Sequence, residues 1–326
     1  MPPGTDFRTL LDLVGGTSTG GVAALMLARL SLPLDKILAI YLDMPKRLFS
    51  GRSFKRVWWL LTNSQHSTEK QKKLYGSSVK EALGDDKALL KVGEESNGKD
   101  LCPCFVVTLD TDDVSKPTIF SSYATLSDEQ KSQSSEGDLS HTTEDVSIVT
   151  AALATSAAPT YFHPTVHNGH TYIDGGVGFN NPSEIALKQL TELYGPNAHV
   201  HTFISLGTGK REKNPYRRKK RSSPGSGARL GISGLLDVMR AFSHISTDSQ
   251  AVHERMGERF AQTGAYYRFN PPGLEDIALD DWTAVDAAVE KCEEYLALPE
   301  TQARIEEVAV RLMSARGMVA KFSAES

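Results

Sequence analysis

Cysteine is scarce in this chain. Cys102, Cys104 and Cys292 are its three thiols, too few for a disulfide framework and without a C-x-x-C pair. The Cys102-Pro103-Cys104 pair would need two further ligands to hold a metal, so idle or buried thiols in a reducing compartment are expected and no metal site is. Long apolar runs are lacking as well. No stretch reaches about 18 uninterrupted apolar residues, which argues against a membrane span. The opening segment MPPGTDFRTLLDLVGG has no basic region followed by a long apolar one, which argues against a signal peptide. A cytoplasmic location is the expectation. Nor is there a surplus of one charge. The 36 Lys and Arg residues against 40 Asp and Glu leave a net −4, which gives no general basis for nucleic-acid binding, and no such partner is expected.

What is present is ordinary for a soluble globular protein: 326 residues, 40% hydrophobic and 23% charged. That length can bury one large α/β core or two smaller ones. The most informative stretch is Leu10–Leu30, LLDLVGGTSTGGVAALMLARL. An apolar run ends in Gly15-Gly16, a serine follows, and Gly20-Gly21 opens a run of helix formers. This is a strand, a tight turn and a helix, with Gly16-Thr17-Ser18-Thr19-Gly20 as a G-x-S-x-G string at the bend. Small residues two positions either side of the serine let the backbone turn sharply enough to lift Ser18 Oγ out of the chain. The following helix aims free N–H groups and its positive dipole end at charge developing near Ser18. The pattern suggests acyl transfer through a serine nucleophile. The same string also fits a plain Gly-rich turn or a phosphate cradle, although Gly20-Gly21-Val22 lacks the Gly-Lys-Ser/Thr of a Walker loop.

Further along, Leu34–Phe49 has apolar residues at helical spacing. Phe105–Leu109 and Thr118–Phe120 read as strands. Leu126–Asp145 is rich in Ser, Glu, Gln and Asp and reads as a solvated loop. Ser147–Ala158 is predicted helical and stopped by Pro159. Thr171–Ile173 is a strand ending at Asp174-Gly175-Gly176, and Ser183–Tyr194 a helix between Pro182 and Gly195. Val200–Leu206 is a strand ending at Gly207-Thr208-Gly209, and Asp281–Leu298 and Glu300–Met313 are two closing amphipathic helices. Alternating strands and helices imply a mostly parallel, helix-covered sheet with active groups at the carboxyl ends of its strands, where Ser18, Asp174 and Gly207 fall.

A nucleophilic serine needs a base. His199 and His201 open a strand, the wrong end. His244 and His253 sit in a helical region with no catalytic signature. His163, His167 and His170 flank a Pro/Asn/Gly turn with no carboxylate at ligand spacing and read as solvated loop histidines. Asp174 ends a strand before two glycines that permit a close approach. A carboxylate can act as general base if it lies within hydrogen-bond reach of the hydroxyl, and an Asp that merely caps the turn into Gly175-Gly176 has the same sequence.

Several blocks together resemble the patatin-like phospholipases, serine acyl hydrolases with a Ser–Asp dyad. They are Gly15–Gly21 (GGTSTGG), Ala154–Phe162 (ATSAAPTYF), Asp174-Gly175-Gly176, Asn180-Asn181-Pro182 and Ile204–Gly209 (ISLGTG), in the family's order. The resemblance implies a three-layer α/β/α sandwich with a mostly parallel central sheet. It implies Ser18 as nucleophile in an elbow flanked by Gly16 and Gly20, Asp174 as base in an acid loop with Gly175 and Gly176, and the Thr19 N–H as an oxyanion donor. No metal or organic cofactor is implied. The substrate would be a phospholipid or related acylglycerolipid, cleaved through an acyl-enzyme. Two departures stand out. Leu153 occupies a position where the family usually has Arg. The family's D-G-G-G-x-R-G oxyanion loop, expected upstream of the elbow, has no counterpart in Met1–Val14, whose first glycine is Gly4. The expectation is therefore either an N-terminally shortened version of an active enzyme or a weakened or inactive lipid-binding or regulatory module. Residues 1–275 would form the hydrolase domain and 276–326 a helical extension packed on it. The basic run Lys210–Arg221, KREKNPYRRKKR, would touch anionic membrane or remain a solvated loop.

Overall fold

The computed structural model describes residues 7–50, 64–91, 102–124, 145–159, 161–209, 249–274, 277 and 280–322. The predicted loop Leu126–Asp145, save its last residue, and the basic run Lys210–Arg221 lie outside them. Among the described residues a 3-10 turn over Phe7–Leu10 comes first, followed by β1 (Val14–Thr17) and α1 (Thr19–Ala24), which runs on through a wider π-type turn over Leu25–Arg29. Next come α2 (Leu34–Phe49), α3 (Ser64–Leu83), β2 (Cys104–Asp110) and β3 (Thr118–Ser121). The middle of the chain forms α4 (Ile148–Thr155), β4 (Thr165–His167), β5 (His170–Asp174) and α5 (Ser183–Tyr194). Then follow β6 (Phe203–Leu206), the helix α6 over 249–259, β7 (Tyr266–Phe269), α7 (Val285–Ala297) and α8 (Pro299–Phe322).

This is an α/β architecture built around β2. Every residue of that strand is buried, as expected for an apolar run covered on both faces. Helices α1 and α4 pack against it, and Leu25, Met26, Val106, Ile148 and Ala151 share one continuous core. The sheet is mixed rather than mostly parallel, which corrects the sequence expectation. Within the five-stranded sheet β1–β2 is parallel, while β2–β3, β2–β5 and β4–β5 are antiparallel. Connection length explains this, since a parallel return needs a crossover of about a dozen or more residues. Strand β3 follows β2 too soon for one. Strands β4 and β5 are joined by Asn168-Gly169 with φ 48° and 81°, the positive pair that a two-residue hairpin turn demands. A separate parallel pair is formed by β6 and β7.

One register detail positions the site. Thr108 of β2 is bridged to Thr118 of β3 on one edge and to Asp174 of β5 on the other. Strand β5 therefore lies on the edge that β1 occupies as far as Val107. Since β1 runs parallel to β2 and β5 antiparallel, their carboxyl ends meet there, Thr17 opposite Val107 and Asp174 opposite Thr108.

Helix α3 went unread in the sequence because most of its positions are polar. It still buries Gln71, Leu74, Tyr75 and Val79, a face at three-to-four-residue spacing. Near the C-terminus α8 docks on β7. Tyr267 Oη donates to Glu307 at 2.6 Å, Arg304 stacks 4.9 Å from the Phe269 ring centre, and Thr301 and Val308 are buried. Among the described residues no helix is long and apolar enough to cross a membrane.

Candidate active site

The bend between β1 and α1 holds Ser18 at φ 57° and ψ −132°, a region that L-residues with a Cβ seldom occupy. Packing explains how it is held. A Cβ on Gly16 would stand 2.2 Å from the Gly20 carbonyl oxygen, so the chain folds back on itself there without room for a side chain. Gly20 differs, with nothing within 4 Å of the same position. Gly21 is also tight, since a Cβ there would meet Thr155 Oγ1 at 2.8 Å. Of the two motif glycines, steric demand thus falls on Gly16 and not on Gly20, and outside the motif it falls on Gly21.

Ser18 Oγ donates to Asp174 Oδ2 at 2.6 Å, while Asp174 Oδ1 accepts the Gly176 N–H at 2.7 Å. The two residues that the sequence singled out are in direct contact. Asp174 is buried. Burial is the largest influence on its carboxyl and pushes the pKa up to about 7, against the opposing pull of the Ser18 and Gly176 hydrogen bonds. Among the described residues Asp174 accepts from these two groups and from no histidine.

The surrounding frame is mostly backbone and hydroxyl. Thr155, fully buried at the end of α4, accepts the Ser18 N–H at 3.0 Å and donates to the Val107 carbonyl at 2.6 Å. Thr17 Oγ1 donates to the Phe179 carbonyl at 2.8 Å, tying the elbow to the loop after Asp174. The Asp174 N–H donates to Ala157 O at 3.1 Å, and Thr108 Oγ1 to Ile173 O at 2.7 Å. A Cβ on Gly175 would lie 2.5 Å from the Val107 carbonyl, so the acid loop crosses β2 at backbone contact. Beneath the elbow helix, Tyr41 Oη donates to the Thr19 carbonyl. Thr19, which follows Ser18 directly, is half-buried.

Thr155, Thr17 and Gly21 were not assigned roles from sequence. The histidines on the hairpin need correcting: His170 belongs to β5, its side chain is 17% exposed, and its Nδ1 lies 2.8 Å from Asp110 Oδ2. A carboxylate distant in sequence does approach it. Asp110, Asp112 and His170 place ligand-type atoms within 4.8 Å of one another, a group the linear spacing could not reveal. The thiols of Cys102 and Cys104 are free, and burial pushes them up to about 12 and about 11, which leaves both unreactive at neutral pH.

The serine of this strand–turn–helix bend thus touches a buried aspartate. Residues 4–187, more than half of the chain, match the patatin-like phospholipase family, and the chain belongs to that family. It is 26% identical over 281 residues to calcium-independent phospholipase A2-gamma of Oryctolagus cuniculus, an alignment covering 83% of this chain and 31% of that protein. It is 27% identical over 274 residues to patatin-like protein 2 of Arabidopsis thaliana, covering 74% and 61%. It is 28% identical over 294 residues to the cGAMP-activated phospholipase of Vibrio cholerae, covering 84% and 74%. The chain spans about a third of the length of the mammalian relatives it matches.

Proposed function

We propose that this chain is a lipid acyl hydrolase that cleaves fatty-acyl esters of phospholipids through a Ser18–Asp174 dyad. The observation that carries this reading is the 2.6 Å hydrogen bond from Ser18 Oγ to Asp174 Oδ2. Ionised Asp174 takes the Ser18 proton as Oγ attacks the ester carbonyl carbon. The Thr19 N–H donates to the tetrahedral oxyanion. Collapse breaks the ester bond, and Asp174 returns the proton to the departing alkoxide, releasing a lysolipid. Water, deprotonated by the same carboxylate, then hydrolyses the acyl-Ser18 ester and frees the fatty acid. A base with a pKa near 7 is matched to neutral working conditions, where it balances ionised fraction against proton affinity. The basic run Lys210–Arg221 would hold the chain at anionic lipid, each basic side chain near the surface adding about 1 kcal/mol.

A fluorophosphonate probe should label the wild-type chain at Ser18 and leave Ser18→Ala unlabelled. A folded wild-type chain that stays unlabelled and turns over no lipid ester would identify a non-catalytic lipid-binding module instead.

A further inference from the structure

Helix α3 sends one polar row toward the segment that supports the Ser18–Asp174 pair. Thr68, Gln71 and Tyr75 fall at i, i+3 and i+7 and so share a face of the helix. Thr68 Oγ1 accepts the His163 N–H at 3.0 Å. Gln71 Nε2 donates at 3.4 Å to the Ser156 carbonyl and at 3.4 Å to Ser156 Oγ, and Tyr75 Oη lies 3.2 Å from the same Oγ. Gln71, Tyr75 and Ser156 are all buried. Ser156 Oγ gives its one proton to the Ala152 carbonyl at 2.6 Å. It can therefore only accept from α3, which makes Tyr75 the donor. Burial pushes the Tyr75 phenol up to about 12, with the charge of Asp174 adding to the rise. The donor proton thus stays in place at neutral pH.

What this row grips is a short turn that reaches both members of the pair. Thr155 and Ala157 stand on either side of Ser156. Thr155 Oγ1 accepts the Ser18 N–H at 3.0 Å, and the Ala157 carbonyl accepts the Asp174 N–H at 3.1 Å. One tripeptide therefore bonds to the backbone of both residues, while its middle side chain reaches α3. The 2.6 Å contact from Ser18 Oγ to Asp174 Oδ2 depends on where that tripeptide sits. A buried polar network whose members are satisfied rigidifies its surroundings and selects one arrangement.

We propose that Tyr75 and Gln71 are positioning residues for ester hydrolysis, holding the Thr155–Ala157 turn through Ser156 so that Ser18 stays within hydrogen-bond reach of Asp174. This rests on the Ser18–Asp174 reading and deepens it by assigning part of the pair's geometry to α3.

The full chain, Tyr75→Phe, Gln71→Met, Ser156→Ala and the Tyr75→Phe/Ser156→Ala double variant are compared on dihexanoylphosphatidylcholine. Circular dichroism establishes that each is folded, and fluorophosphonate labelling counts the active sites. Per labelled site, kcat should fall about tenfold in Tyr75→Phe and in Gln71→Met while KM stays nearly constant, because the reacting pair is misplaced and lipid binding is untouched. The midpoint of the pH–rate profile should also move upward. The Ser18 hydrogen bond is one of the two that lower the Asp174 pKa, and it weakens as the pair drifts apart. Loss of folded protein alone would lower the labelled fraction and leave both kcat per site and the midpoint in place. In the Ser156→Ala background Tyr75→Phe should cost nothing further, because its route is already broken. An active wild type matched by Tyr75→Phe and Gln71→Met in kcat per site and midpoint overturns this proposal alone. A Tyr75→Phe loss that persists at full size in the Ser156→Ala background overturns the route through Ser156. A wild type that neither labels nor hydrolyses overturns the Ser18–Asp174 reading, and the positioning role falls with it.

Discussion

Thr155 Oγ1 stands between two backbones, accepting the N–H of Ser18 at 3.0 Å and donating to the carbonyl of Val107 at 2.6 Å. The strained elbow is thereby pinned to the central strand by one buried hydroxyl. Thr155→Val keeps the shape and removes both hydrogen bonds, stranding a buried carbonyl and the Ser18 N–H. The expected cost is about 1–3 kcal/mol, read as a lower urea midpoint with an unchanged slope. Ester hydrolysis should fall about tenfold or more as the nucleophile loses its fixed position. Thr155→Ser should restore both, because only the methyl group is lost. If the valine variant is as active as wild type, the elbow is held by its glycines alone.

The steric picture of the elbow separates glycines that look equivalent in the motif. Gly16→Ala should abolish soluble expression or activity, since its Cβ would press on the Gly20 carbonyl oxygen at 2.2 Å, a backbone atom that cannot move aside. Gly21→Ala should cost less, because Thr155 can shift a little. Gly20→Ala should be tolerated and slightly stabilising, by about 0.5–1 kcal/mol, because alanine is the better helix former and its Cβ meets nothing within 4 Å. Thermal denaturation of the three variants checks the order. A strongly destabilised Gly20→Ala would contradict it.

Ser18 and Asp174 were legible as candidates because both sit at strand ends beside glycines, a local pattern. What joins them was not. The meeting of β1 and β5 on one edge of β2 depends on pairings between segments far apart in sequence, Val107 with Thr17 and Thr108 with Asp174. The mixed direction of the sheet follows from the short β2–β3 connection and the Asn168-Gly169 turn. That turn was seen, but the three-residue strand before it was too short to register. Helix α3 escaped because most of its positions are polar, and strand β7 (YYRF) because Arg268 interrupts its short aromatic run. Thr155 carried no signal of its own, since a threonine at a helix end is ordinary until its partners are known.

A raised pKa leaves a mark on rate. With the Asp174 pKa at about 7, log kcat/KM for ester hydrolysis should climb with unit slope below that pH and level off above it. A single ionisation is expected, without a histidine limb. Substituting His170, His199, His201 or His253 by alanine should leave the midpoint in place. If one of these variants, still folded, removes the activity, the base is a histidine and the dyad fails.

The same group shapes stability, and its sign is opposite to that of a surface carboxylate. The folded-state pKa of Asp174 lies above its ordinary 3.8, at about 7. The folded state therefore holds a proton that the unfolded chain has released between those two values. Its favourable contribution is complete below about pH 4, declines as pH rises, and is gone above about pH 7. The shift corresponds to at most about 4 kcal/mol at pH 8. Asp174→Asn removes the buried charge, and its amide can still accept from Gly176 and meet Ser18. The variant should lose ester hydrolysis by about 10²–10⁴-fold and yet melt higher than wild type at pH 8. The gap should close as pH approaches 4, where wild-type Asp174 is neutral. Melting curves of both proteins from pH 4 to 8 check this, and a variant less stable than wild type at pH 8 would mean that the Asp174 charge is stabilised by more than the two hydrogen bonds it accepts.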